Sequence, residues 1–202
     1  MRFYLSSYKL GEKADELKRL AGSGKIGLIT NALDFVEGPA KTESNLRDLA
    51  LLESVGITAE FLDLKDYFGK ESALLGKLNS LAGVFVRGGN TFVLRQAMRF
   101  SGFDSAIRKI KNPAFLYSGY SAGVCVLAPN LRGLAQVDNP NIFPYSGIKE
   151  TVWEGLGLVD YLILPHFKSN HPESPAIDLE VEFCKKNKIP FRTLSDGQVI
   201  VL

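Results

Sequence analysis

One stretch decides how this chain is organised: Phe115-Leu116-Tyr117-Ser118-Gly119-Tyr120-Ser121-Ala122-Gly123. Its apolar start predicts a buried strand, and residues 122–127 are predicted to form a short helix. Between them lies the pattern Gly-x-Ser-x-Gly, which is typical of a sharp strand-to-helix turn that projects a serine above the sheet. Gly119 and Gly123 fit this turn because small residues let the backbone pass close by. Ser121 is therefore a candidate nucleophile, and the alternative is a tight glycine-rich turn with an idle serine.

Working outward from this turn, strand-like and helix-like segments alternate along the chain. Apolar strands are predicted at 2–6, 25–30, 58–62, 83–86, 114–117, 161–164, 191–194 and 198–202, with helices between most of them. The helix predicted at 42–55 is expected to bury Leu46, Leu49, Ala50 and Leu52. Strands that are apolar throughout are typical of parallel sheets covered on both faces. We therefore predict a single α/β domain over residues 1–202, with a doubly wound, mostly parallel sheet and helices on both faces.

The composition argues against several classes of partner. Among 202 residues, 46% are hydrophobic and 23% are charged, and the net charge of +2 leaves no basic patch for nucleic acid. No apolar run is long enough to span a bilayer, and the first residues are too polar for a signal peptide. Cys125 and Cys184 form no metal-ligand or redox spacing. We expect a cytoplasmic protein, monomeric or homodimeric, that needs neither metal nor organic cofactor.

A second turn, Arg87-Gly88-Gly89-Asn90-Thr91, follows the buried strand predicted at 83–86. In a parallel sheet, this turn and Ser121 lie at the carboxyl ends of strands, where ligands bind. Glycines at this position leave backbone amides free to face a substrate oxyanion. We expect Gly89 and Ala122 to supply the two oxyanion donors, while the alternative is a plain glycine turn followed by an Asn helix cap.

A serine nucleophile needs a base, and the chain has two histidines. His166 directly follows an apolar strand, whereas His171 lies in a polar loop, so His166 is the favoured base. In α/β hydrolases the acid lies between serine and histidine in the chain. The carboxylates in that interval are Asp138, Glu150, Glu154 and Asp160. Asp138, in a proline-ordered loop, is the expected acid.

Three motifs together resemble peptidase family S51, which includes peptidase E: Gly88-Gly89-Asn90-Thr91-Phe92, Gly119-Tyr120-Ser121-Ala122-Gly123 and Leu164-Pro165-His166-Phe167. The resemblance extends over residues 25–201. It implies a flavodoxin-like fold of the class I glutamine amidotransferase type, and a serine peptidase that cleaves short peptides. It also implies that Ser121 is the nucleophile, His166 the base and Asp138 the acid, with Gly89 and Ala122 as oxyanion hole. Gly88, Asn90 and Tyr120, within these motifs, are the expected substrate-binding residues.

One departure from that family concerns substrate choice. Peptidase E binds the substrate's N-terminal aspartate through an arginine after the histidine, but the helix predicted at 175–187 contains no arginine, and Arg192 is the nearest. Three alternatives therefore stay open: an esterase or amidase acting on a non-peptide substrate, a cysteine enzyme using Cys125, and a binding protein that has lost turnover. Cys125 lies one helical turn beyond Ser121, which favours a packing role.

Overall fold

A computed structural model describes residues 1–147 and 149–202. Its strands are β1 (Arg2–Ser6), β2 (Ile26–Ile29), β3 (Ala59–Phe61), β4 (Gly83–Val86), β5 (Leu116–Tyr120), β6 (Leu162–Leu164), β7 (Phe191–Thr193) and β8 (Val199–Val201). Six of them form the main sheet in the order β3-β2-β4-β5-β1-β8. All neighbours pair in parallel except β1 and β8, which are antiparallel. The predicted α/β class with a mostly parallel sheet is confirmed.

Helices cover both faces of this sheet. They are α1 (Ala14–Ala21), α2 (Pro39–Ser54), α3 (Glu71–Asn79), α4 (Thr91–Ser101), α5 (Phe103–Ala106), α6 (Ala122–Cys125) and α7 (Ser174–Asn187). Successive side chains of a strand point to opposite faces. Accordingly Val84 and Val86 pack in one apolar cluster with α3 and α4, while Phe85 packs in another with α1. Among the described residues, no helix is both long and apolar enough to cross a membrane.

Two strands lie outside the main sheet. β6 and β7 pair in parallel as a separate two-stranded sheet, with Leu162 opposite Phe191 and Leu164 opposite Thr193. Leu162 and Leu164 pack with Ile177 and other apolar residues of α7 in a third cluster. Both strands are only three residues long, and Ile163, the central residue of β6, packs in the first apolar cluster with Val84 and Val86 of the main sheet. This small sheet positions part of the site described below.

The helix α2 differs from the prediction in the face that it buries. Leu46 is 51% exposed and Ala50 is also exposed, whereas Asp48 and Leu52 are the buried residues. The buried Asp48 carboxylate pairs with the Arg87 guanidinium, which lies 3.3 Å away. The inward face of α2 is therefore partly polar, and it borders the cleft at the carboxyl ends of the strands.

Candidate active site

The predicted strand-to-helix turn carries Ser121 between β5 and α6. Ser121 has a φ of 51°, a left-handed value that is uncommon for a residue other than glycine. Its amide donates to the carbonyl of Ser7, 3.2 Å away. A Cβ on Gly119 or Gly123 would overlap the carbonyl oxygen of Val86 in the neighbouring strand. The two glycines therefore allow the close approach that the turn requires, as the pattern predicts.

The small sheet brings a histidine and an aspartate together. His166 lies two residues after β6 and Asp196 three residues after β7. Because the two strands are parallel, both side chains lie at the same edge of the small sheet. The Nδ1 of His166 is 2.7 Å from the Asp196 carboxylate. This contact fixes the ring, and it leaves Nε2 as the nitrogen available to a nucleophile.

Ser7 connects Ser121 to this pair. It follows β1 and is fully buried. Its carbonyl accepts from the Ser121 amide, and its hydroxyl accepts from the His166 amide at 2.8 Å. The same hydroxyl lies 2.9 Å from the Asp196 carboxylate. One buried serine thus contacts all three residues, and sequence reasoning gave it no role.

A cleft of about 320 Å³ lies over these residues. Ser121 and His166 both line it, together with Gly88 and Gly89. The amides of Gly89 and Ala122 donate to no other group within residues 1–147 and 149–202. Gly89 has a φ of 143°, and a Cβ there would lie 2.6 Å from the Ala32 carbonyl oxygen, so glycine is required. Both amides are thus free to bind an oxyanion, the role expected from the sequence.

The His166 ring is largely shielded from water. It stacks on the His171 ring, with centroids 3.7 Å apart and planes inclined by 8°. Burial lowers the pKa of His166, and the nearby His171 lowers it further, while the hydrogen bond to Asp196 works in the opposite direction. The ring is therefore neutral near pH 7, as a general base must be.

One group of described side chains offers the donor types of a cation site. Donor atoms of His166, His171 and Glu173 lie within 4.8 Å of one another. The two imidazoles are stacked nearly parallel, so their lone pairs lie in parallel planes and do not converge on a common point. Tetrahedral coordination requires such convergence. The arrangement fits a stacked pair of rings better than a metal centre.

Asp138, the expected acid, lies elsewhere. Its carboxylate accepts from the Thr91 amide at 2.8 Å, at the start of α4, and it forms no hydrogen bond with His166. Burial raises the pKa of Asp138 to about 6, although the hydrogen bond from Thr91 opposes the shift. The expected contact between Asp138 and His166 is corrected by the geometry: Asp196 takes that place. The chain order of α/β hydrolases does not hold for this pair, since Asp196 follows the histidine in the sequence.

The three expected substrate-binding residues have different surroundings. Gly88 lines the cleft, and a Cβ there would lie 2.9 Å from the Cβ of Ser121. Tyr120 also lines it, although its hydroxyl donates to Asp48 at 2.9 Å. The Asn90 carboxamide oxygen accepts from the amides of Phe92 and Val93, and its nitrogen donates to the Asn139 carbonyl. The side chain thus caps α4, and Asn90 is not among the residues that line the cleft, which corrects its expected substrate contact.

Two other residues singled out in the sequence lie away from the cleft. Cys125 is buried, and its thiol lies 3.4 Å from the Ile163 carbonyl, so it packs in the core as expected. The Arg192 guanidinium lies over the Tyr161 ring, 4.5 Å from its centroid. Arg192 is not among the residues that line the cleft. The cations found there are Lys9, Arg47 and Arg87.

Comparison with known proteins assigns the family. The model of peptidase family S51 matches residues 46–202, about three quarters of the chain and all the residues just described except Ser7, Lys9 and Ala32. This chain belongs to peptidase family S51. An uncharacterized peptidase of Listeria monocytogenes is 30% identical over 138 residues, which are 68% of this chain and 64% of the relative. Peptidase E of Streptomyces coelicolor is 34% identical over 128 residues, 61% of this chain and 49% of that protein.

These matches to curated S51 relatives thus span less than two thirds of each relative. Solved structures match the whole chain. A crystal structure from Listeria monocytogenes EGD-e, provisionally named a peptidase E protein, has a TM-score of 0.75 at 22% identity and covers 100% of this chain and 97% of its own. The crystal structure of a peptidase from an acI-B1 Actinobacterium has a TM-score of 0.71 at 16% identity, and the match covers 100% of this chain and 82% of that one. Because both identities are low, the two structures support the fold alone, and this is the fold that the resemblance to peptidase E predicts.

Proposed function

We propose that this chain is a serine peptidase that hydrolyses short peptides through Ser121, His166 and Asp196. The observation that carries the proposal is the 2.7 Å contact between His166 and Asp196 beside a strained serine that lines the same cleft. Histidine held by a carboxylate next to such a serine is the arrangement of serine hydrolases on several folds. Membership of peptidase family S51 supports peptide bonds as the substrate class.

In the proposed mechanism Ser121, His166 and Asp196 have distinct roles. Nε2 of His166 takes the Ser121 proton as Oγ attacks the scissile carbonyl, and Asp196 stabilises the imidazolium that forms. The free amides of Gly89 and Ala122 bind the oxyanion, where each donor contributes roughly 2.7–4 kcal/mol. His166 then protonates the leaving amine, and water releases the acyl group from Ser121.

The shape and charges of the cleft support a small substrate. Its volume of about 320 Å³ lies at the lower end for ligand sites. Lys9 and Arg47 are exposed cations at its wall, and Glu173 is a carboxylate that also lines it. Opposite charges of this kind suit a short peptide with free termini, which carries one charge of each sign.

A dipeptide panel tests the proposal. We expect the purified protein to cleave at least one of Leu-Leu, Lys-Leu and Asp-Leu, and Ser121→Ala to abolish cleavage. A fluorophosphonate should label Ser121 in the native chain and not in the variant, because labelling requires an activated serine. Peptide cleavage that survives Ser121→Ala would contradict the proposal. Labelling with cleavage of p-nitrophenyl esters alone would place the substrate outside peptides.

A further inference from the structure

A second, smaller cavity adjoins the nucleophile. Ser121 and Ala122 line it, and so do three acidic side chains, Asp138, Glu173 and Glu180. In the described part of the chain no lysine, arginine or histidine lines this cavity. Its volume is about 20 Å³, and it shares Ser121 and Glu173 with the main cleft. The cavity is thus an acidic recess beside the reacting serine.

Glu180 is the least expected member of this recess. It is 1% exposed, and its Oε2 has no hydrogen-bond partner among the described residues. Glu173 directly precedes α7 with a helical backbone, and Glu180 lies seven residues on, in the middle of the helix, so the two lie on one side of it, two turns apart. A buried carboxyl oxygen without a partner is costly. Its position in the wall of the recess indicates that a ligand supplies the missing partner.

The other two carboxyl groups crowd Glu180. Burial, together with the neighbouring Asp138 and Glu173, raises the pKa of Glu180 to about 9. Burial likewise raises the pKa of Glu173, whose carboxylate lies 3.9 Å from Nε2 of His166. Acidic groups that share a confined space resist ionisation unless a positive charge joins them. A cation in the recess would remove that conflict.

We propose that the recess of Asp138, Glu173 and Glu180 binds a protonated amine of the substrate, next to the scissile carbonyl. Its volume of about 20 Å³ holds one group of the size of water, which fits an ammonium and excludes a planar guanidinium. An ammonium also offers three donors, enough for carboxyl groups on several sides. This inference rests on the proposed peptidase function and adds the chemistry by which the substrate is selected.

The amine has two sources in a short peptide. The α-ammonium of the first residue is two bonds from the carbonyl carbon that Ser121 attacks, whereas the side-chain ammonium of lysine reaches the recess from further away. The two sources are told apart by Nα-acetylation, which removes the first charge and leaves the second.

Binding to the Ser121→Ala variant tests the recess without requiring turnover. Calorimetry measures the affinity of the Ser121→Ala variant, with and without Glu180→Gln, for four peptides: Leu-Leu, Lys-Leu, Asp-Leu and Nα-acetyl-Lys-Leu. Glutamine keeps the shape of Glu180 but cannot ionise, so we expect the amine-bearing peptide to bind at least tenfold more weakly. The matched control is Glu182→Gln on the exposed face of the same helix, where Glu182 pairs with Lys185. It should leave affinity unchanged.

Each outcome of this binding experiment either supports or overturns the inference. If acetylation abolishes binding and Glu180→Gln weakens Leu-Leu and Lys-Leu alike, the recess takes the α-ammonium. If acetylated Lys-Leu still binds and only lysine peptides respond to Glu180→Gln, it takes the side chain. Unchanged affinity of every peptide in Glu180→Gln, or no binding by any peptide, would overturn the inference. Ser121-dependent cleavage in the presence of any of these results would leave the proposed function standing and remove the recess alone.

Discussion

The His166 imidazole has a carboxylate on one nitrogen and a second imidazole on its face. Asp196 contacts Nδ1 at 2.7 Å, and the His171 ring stacks at 3.7 Å. Burial and the potential positive charge of His171 outweigh the effect of Asp196, so the pKa of His166 falls below its ordinary value of 6.5. A base with such a pKa is deprotonated across the neutral range, and activity should decline only under acid conditions.

Substitution of His171 should move that acid limit. His171→Asn removes a group that lowers the pKa of His166, so the imidazolium becomes easier to form and the pKa rises. We expect the acid limb of the kcat/KM profile to shift to higher pH, with kcat on the plateau reduced less than tenfold. The pH dependence of peptide cleavage measures the shift. An acid limb that stays in place or moves to lower pH would contradict this account of the stack.

Single residues differed in how well the sequence predicted them. Ser121 and His166 each lie within two residues after a strand, so their positions at strand ends could be predicted from the sequence. Asp196 also follows an apolar strand, yet the interval rule for hydrolases excluded it. Asp138 matched that rule and lies instead on the Thr91 amide. The contact of a carboxylate depends on how separate strands pair, which is not a local property of the sequence.

At the scale of elements, the turn between β5 and α6 depends on the absence of side chains. Gly123→Ala would place a Cβ against the backbone of Val86, and backbone cannot rotate away. Overpacking of this kind costs roughly 1–3 kcal/mol in free energy of unfolding, and contact with rigid backbone favours the upper end. Denaturant unfolding of the variant measures the loss.

Gly76 provides the matched control. It lies within α3, and a Cβ there would meet no atom within 4 Å. Gly76→Ala should therefore stabilise the protein by up to about 1 kcal/mol, since alanine is the better helix former. Equal stability of the Gly123 and Gly76 variants would show that the turn tolerates a side chain and that the close approach is unimportant.

The elements around the small sheet were less predictable than those of the main sheet. The apolar segments that form β6 and β7 were recognised as strands, but three-residue strands carry no pattern that assigns them to a sheet. Leu162 and Leu164 of β6 and Phe191 of β7 pack with α7, and no local pattern predicts such contacts between distant parts of the chain. The face of α2 was also mispredicted, because the apolar Leu46 is exposed while the acidic Asp48 is buried with Arg87.

At the scale of the whole molecule, the proposed active site spans the two sheets. Ser121 belongs to the main sheet, and His166 and Asp196 belong to the small one. Ser7, at the end of β1, contacts all three through its carbonyl and hydroxyl. The alternation of strands and helices predicted the main sheet correctly, because continuous apolar strands have few other arrangements. The relation between the sheets depends on distant contacts such as those of Ser7.

Ser7→Ala should therefore impair catalysis more than folding. The variant leaves the buried His166 amide without its acceptor and frees Asp196 from one contact, so the pair loses its position relative to Ser121. Misplacement of this kind is expected to lower kcat on the order of tenfold or more. Ser6→Ala is the control, since the Ser6 hydroxyl is equally buried and instead contacts the Tyr8 carbonyl. Both should lose about 1 kcal/mol of stability. An equal kcat in the two variants would contradict the role of Ser7.

The measurement that tests the account most directly is the rate at which a fluorophosphonate labels Ser121 in Asp196→Asn. Loss of the carboxylate removes the group that orients His166, and in serine hydrolases such a change lowers the rate by roughly 10⁴-fold. We predict labelling at least about 100-fold slower than in the native chain, and native labelling in Asp178→Asn, whose residue is exposed on α7. Labelling of Asp196→Asn at the native rate would contradict the assignment of Asp196 as the acid and, with it, the proposed catalytic arrangement.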